Sequence, residues 1–163
     1  SNIKSVQRGS YTFGGAEDTA WVTISAVNLS NAIIKISIQN VAAGNTANNS
    51  LQVKGKFTST TQIELKRQYA GGSTYTKVFW EVIEFNNVKS LQSGDVAINT
   101  NPKTITISSV NTSKSVMFSS YLTTAGSTTA HIEVGYNLDS ATQISFNCQA
   151  GDNTAHWFVV EFN

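Results

Sequence analysis

The chain has 163 residues, 40% of them hydrophobic and 13% charged, with 11 Lys and Arg against 10 Asp and Glu and a formal net charge of +1. Binding to nucleic acid needs clustered cations to neutralise phosphates, and without an excess of them nucleic acid is not an expected partner. No apolar run approaches the roughly 20 residues of a membrane-spanning helix, and the start Ser1-Asn2-Ile3-Lys4 lacks the basic and apolar regions of a secretory signal, so a soluble chain without membrane insertion is expected.

The chain opens on Ile3-Lys4-Ser5-Val6-Gln7-Arg8-Gly9, followed by Thr23-Ile24-Ser25-Ala26-Val27-Asn28-Leu29-Ser30. Ile34, Ile36 and Ile38 then alternate with Lys35, Ser37 and Gln39. This period of two predicts a strand with one buried face. Leu51/Val53, Ile63/Leu65 and Val78/Trp80/Val82 repeat it, and runs rich in Gly, Asn and Ser at residues 43–49 and 70–73 mark the turns between. Trp80-Glu81-Val82-Ile83-Glu84-Phe85-Asn86 closes the series.

From residue 88 the series begins again. Val88-Lys89-Ser90-Leu91-Gln92-Ser93-Gly94 repeats the opening at an offset of 85, and Thr106-Ile107-Ser108-Ser109-Val110-Asn111-Thr112-Ser113 repeats the second segment at 83. Thr142-Gln143-Ile144 returns Thr61-Gln62-Ile63 at 81, and Trp157-Phe158-Val159-Val160-Glu161-Phe162-Asn163 returns the closing segment at 77. Ile105/Ile107, Ile132/Val134 and Ile144/Phe146/Cys148 supply the alternation, with turns at 124–127 and 150–153. Four collinear matches define an internal repeat, and each shortening falls between matched segments, where loops tolerate length change. The sequence therefore predicts an all-β chain of two tandem homologous antiparallel β-sandwich modules of about six strands each, over residues 1–86 and 87–163. Almost no linker separates them, so rigid packing of one copy on the other is expected, and the small core of each would gain from it.

A residue kept in both copies is more readily explained by the shared fold than by a unique active site. Glu84 and Glu161 form a carboxylate pair that a glycosidase would use as acid and nucleophile, but they occupy equivalent places on the two closing strands, and a structural role is expected. Trp80 and Trp157 are equivalent core anchors on the same grounds. Trp21, opposite Thr104 in the second copy, is either packed or exposed. Cys148 with His131 or His156 offers only a superficial nucleophile and base, since Cys148 continues the apolar face of Ile144 and Phe146. A lone cysteine fits a reducing compartment and a processed external protein alike.

The two histidines and the scattered acids Glu17, Asp18, Asp95, Asp139 and Asp152 do not have metal-ligand spacing, and no phosphate loop or nucleophile elbow occurs. No catalytic residue, metal or cofactor is expected. Sequons start at Asn28, Asn48 and Asn111, as a chain rich in Asn and Ser would contain by accident. Ligand binding, if any, belongs to loops where the copies differ: Tyr69, Tyr75 and Arg67 in the first, and Tyr121, His131, Asp152 and His156 in the second. Their rings and polar groups suit stacking on and hydrogen bonding to a sugar.

The opening Ile/Val-Lys-Ser-Val/Leu-Gln-x-Gly, the Thr-Ile-Ser-x-Val-Asn-x-Ser segment and the closing Trp-x-Val-Ile/Val-Glu-Phe resemble small β-sandwich proteins of tailed-bacteriophage virions, over nearly the whole chain. The resemblance implies a non-enzymatic structural role on the particle, as head decoration or fibre, tail accessory or receptor-binding element. It implies other virion proteins as partners and a virion location after assembly in the host cytoplasm. A homo-oligomer, with a trimer favoured, would present six similar modules to a six-fold platform. The closing Trp strand also resembles that of H-type lectins, trimeric sandwiches that bind sugars, which implies a bacterial surface glycan as a second kind of partner. No site residue is carried over from that family.

Overall fold

The computed structural model describes residues 2–40, 52–68, 76–123, 133–148 and 152–163. The first half holds β1 (Ile3–Phe13), β2 (Thr19–Thr23), β3 (Ala32–Asn40), β4 (Lys54–Ser59), β5 (Gln62–Lys66) and β6 (Thr76–Phe85). The second holds β7 (Ser90–Ile98), β8 (Lys103–Thr106), β9 (Ser115–Thr123), β10 (Val134–Ser140), β11 (Gln143–Cys148) and β12 (Asn153–Glu161). The strands form four three-stranded sheets, β1-β6-β3 and β2-β5-β4 in one half, β7-β12-β9 and β8-β11-β10 in the other, with every pairing antiparallel. Each half is thus a six-stranded sandwich, and the two have the same strand order with β6 and β12 at equivalent centres.

The periodicity places the strands well and their ends less well. Leu51 lies outside the described residues and Val53 precedes β4, while Ile107 follows β8, although the side chains of Val53 and Ile107 are buried as expected. Val53 fills the core from the approach to β4, and Ile107 from just beyond β8, where its N–H donates to Thr142 O at 2.9 Å.

The register repeats in detail. Gly9 pairs with Trp80 and Gly94 with Trp157, so each indole lies over a glycine of the neighbouring strand. A Cβ on Gly9 would come within 2.4 Å of Trp80 Cζ2, and one on Gly94 within 3.1 Å of Trp157 Cζ2. Asn28 and Asn111, two of the sequon residues, cap equivalent 3-10 turns at Leu29–Asn31 and Thr112–Lys114 by accepting from Ser30 N at 3.0 Å and Ser113 N at 3.1 Å. The short Asn side chain reaches the amide two residues on, which is why the Asn-x-Ser pattern recurs. Asn48 lies outside the described residues.

The modules meet edge to face. Strands β3 and β4 on one side of the first sandwich rest against the outward face of the β7-β12-β9 sheet of the second. Phe158 and Val160, which alternate outward from the second module's own core, are buried in the core cluster of the first, with Phe118 and Phe162 packed against it. Phe158 meets Phe57 edge-on at 6.2 Å between centroids, and Phe162 meets Phe85 at 5.2 Å. Burying a Phe fully contributes about 1.5–3 kcal/mol, and Phe158 is buried to 3% exposure at this contact.

Candidate functional site

The residues common to both modules are occupied in building them. Glu84 accepts from Lys4 Nζ at 3.0 Å, Ser5 Oγ at 3.4 Å and the Asn28 N–H at 3.0 Å. Glu161 accepts from Lys89 Nζ at 2.8 Å, Ser90 Oγ at 3.4 Å and the Asn111 N–H at 3.0 Å. Each carboxylate ties the first strand of its module and its capped turn to the last strand. The Asn28 amide leads in holding the Glu84 carboxyl below its ordinary range and the Lys89 ammonium leads at Glu161, with burial opposing both. A general acid needs the opposite shift.

The loop candidates within the described residues are not gathered into one site. Tyr69, Tyr75 and His131 lie outside the described residues. Asp152 is exposed just before β12. Tyr121 pairs with Ala155 and His156 with Ser120 across β9 and β12, so Tyr121 and His156 project from opposite faces of that sheet. Burial pushes the Tyr121 hydroxyl up. Arg67 is not a rim residue: it is 1% exposed, donates to Glu17 O at 2.9 Å, Gly14 O at 2.8 Å and Thr76 Oγ1 at 3.2 Å, and stacks on Phe13. Cys148 is buried and receives Asn153 Nδ2 at 2.9 Å. Trp21 is the exposed alternative, at 62%.

Three surfaces remain. The first is the seam, where Lys54 and Lys56 of β4 reach Asp95 of β7 at 3.2 and 3.5 Å and His156 Nδ1 lies 3.0 Å from the same carboxylate. Burial drives the His156 pKa down against the pull of Asp95, and the nearby lysines add to the fall. Burial would raise Asp95, but His156 and Lys54 outweigh it and leave its pKa lowered. The second surface is a cleft of about 330 Å³ beside the seam, lined by Tyr121, Ser119 and Ser120 of one module and Ile36, Ser37 and Gln52 of the other.

The third is the outward face of β1-β6-β3, with a groove of about 360 Å³ between Arg8, Lys35, Ser37, Phe79 and Glu81. Glu81 binds Arg8 Nε at 2.6 Å and Lys35 Nζ at 3.5 Å, and the Arg8 hydrogen bond leads in lowering its pKa. By register Glu81 corresponds to Phe158, Lys35 to Phe118 and Phe79 to His156. Sequence reasoning did not single out the seam or this face. The signal was available in the difference between copies at outward positions, apolar in one and charged in the other.

Among the described residues no group of three or more His, Cys, Asp or Glu could hold a metal ion. No family model matches the chain, and neither a curated protein nor a solved structure matches it.

Proposed function

We propose that this chain is a non-enzymatic structural protein of a bacteriophage virion, a capsid decoration or fibre or a tail component, that works by presenting sandwich faces and edges to neighbouring proteins. The observation that carries the non-catalytic part is the pairing of Glu84 with Lys4 and Glu161 with Lys89: both carboxylates of the candidate acid pair are kept ionised as equivalent structural ties. The virion setting rests on the opening and closing motifs. Mass spectrometry of purified particles from the genome that encodes the chain tests it. Stoichiometric presence in the particle is expected, and absence from it overturns the reading.

A second reading, a carbohydrate-binding adhesin, is favoured by the cleft at Tyr121, which combines a half-buried ring with serine hydroxyls and the Gln52 amide and, among the described residues, is lined by no charged side chain. Its expected result is saturable binding on a bacterial glycan array that Tyr121→Ala abolishes. An array without signal removes it.

A further inference from the structure

The seam inside the chain is a heterologous contact, an edge of one module on a face of its homologue, and such a contact leaves an unused face at one end and an unused edge at the other. The unused face is that of β1-β6-β3, and the unused edge is β10, which among the described strands pairs only with β11. We propose that a second copy of the chain docks there, head to tail, with Tyr136 of β10 seated in the groove between Arg8, Lys35, Ser37, Phe79 and Glu81.

Register gives the counterparts. On the edge, Gly55, Lys56 and Phe57 of β4 correspond to Tyr136, Asn137 and Leu138 of β10, and Lys54 to Gly135. Lys54 and Gly55 are buried by the seam, whereas Gly135, Tyr136 and Asn137 are all exposed, Tyr136 at 42%. On the face, Phe158 is 3% exposed whereas the Glu81 side chain is 30% exposed and Phe79 40%.

One acceptor is kept between the used and unused surfaces, and two differences set them apart. In the seam the Gly55 N–H donates to Ser120 Oγ at 2.9 Å. The counterpart of Ser120 is Ser37, so an acceptor for the Tyr136 N–H is kept on the unused face. Lys54 and Lys56 meet Asp95 in the seam, while their counterparts Gly135 and Asn137 would meet Ser10, the counterpart of Asp95, so both partners of the ion cluster are neutral together. At the edge itself the seam has Gly55, where a Cβ would meet Ile36 of the neighbouring β3 at 2.9 Å, whereas β10 has Tyr136 and the counterpart of Ile36 is the smaller Ser119, with the tyrosine 42% exposed.

Charge also complements. Residues 1–86 carry eight Lys and Arg against five Asp and Glu, and residues 87–163 carry three against five. Glu133 and Asp139, both exposed, flank the Tyr136 segment, while Arg8, Lys35 and Lys77 border the groove. Opposite signs steer this encounter and disfavour like ends meeting. The proposal does not rest on the virion reading, since it concerns the chain alone.

The test is the mass of the purified full chain by sedimentation over a concentration series, with Tyr136→Ala and the groove-filling Ser37→Trp, and disulfide formation between separately purified Ser37→Cys and Tyr136→Cys chains. The wild-type chain is expected to form multiples of its 17.6 kDa mass, closed or open-ended. Each surface substitution should weaken association at least tenfold without moving the melting temperature, and the mixed disulfide should exceed either homodisulfide. A wild-type chain that stays single at every concentration overturns the proposal. Association that ignores both substitutions and gives no mixed disulfide does so equally, and neither result bears on whether the chain is found in particles.

Discussion

Glu84 and Glu161 stand 77 residues apart in the chain and accept hydrogen bonds from the same three kinds of donor, a lysine ammonium, a serine hydroxyl and an Asn N–H. Their carboxyls titrate lower in the fold than in the unfolded chain. The stabilisation this brings is complete above the ordinary glutamate value and is lost as pH falls through the depressed folded values. Urea unfolding between about pH 5 and 3 should therefore show a steeper loss of stability for the wild type than for a Glu84→Gln/Glu161→Gln double variant. Parallel pH profiles would remove the two carboxylates from that role.

The glycines under the two indoles predict an asymmetry between otherwise equivalent positions. Gly9→Ala places a methyl at 2.4 Å from Trp80 and should cost about 1–3 kcal/mol by forcing the ring or strand to shift. Gly94→Ala meets Trp157 at 3.1 Å, where a shift of a few tenths of an ångström suffices, and should cost about 1 kcal/mol or less. Chemical denaturation of the two variants orders them. Equal costs would mean that the two Trp pockets yield alike.

The repeat and the alternation of Ile34, Ile36 and Ile38 made the strands and the double sandwich legible, because burial of one sheet face imposes a period of two wherever it occurs. The seam was not legible by that rule, which assigns outward residues such as Phe158 and Val160 to solvent although a second module covers them. Arg67 misled for a different reason. In an Arg-Gln-Tyr segment it reads as a polar rim residue, but three acceptors brought from residues 14, 17 and 76 satisfy its guanidinium in the interior, and nothing local announces partners so distant in the chain. The Asn28 and Asn111 caps show the reverse case: the Asn-x-Ser spacing was visible, and its cause was the turn it caps.

Outward rings on the two corresponding sheets should respond unequally to truncation. Phe158→Ala removes a ring buried between modules and is expected to cost about 3–5 kcal/mol. Phe79→Ala, on the open face at 40% exposure, should stay within about 0.5 kcal/mol. Thermal melts of the two variants decide this, and a small loss at Phe158 would mean that the modules hold together without it.

Acid should loosen the seam before it reaches the carboxylates. His156 is kept neutral by burial, with Asp95 on β7 attracting its proton and Lys54 and Lys56 on β4 repelling it. Because its folded pKa lies below the unfolded value of about 6.5, the unfolded chain takes up the proton first, and stability falls as pH drops from about 6.5 towards the folded value. His156→Phe installs the residue that the first module has at the same position, Phe79, and removes the titration while keeping an apolar ring beside Phe158, now 4.9 Å from the imidazole. Urea midpoints measured between about pH 7 and 5 should fall for the wild type and stay level for the variant. A level wild-type profile would show that the imidazole carries no pH dependence at the seam, and a slope kept by the variant would assign it to another group.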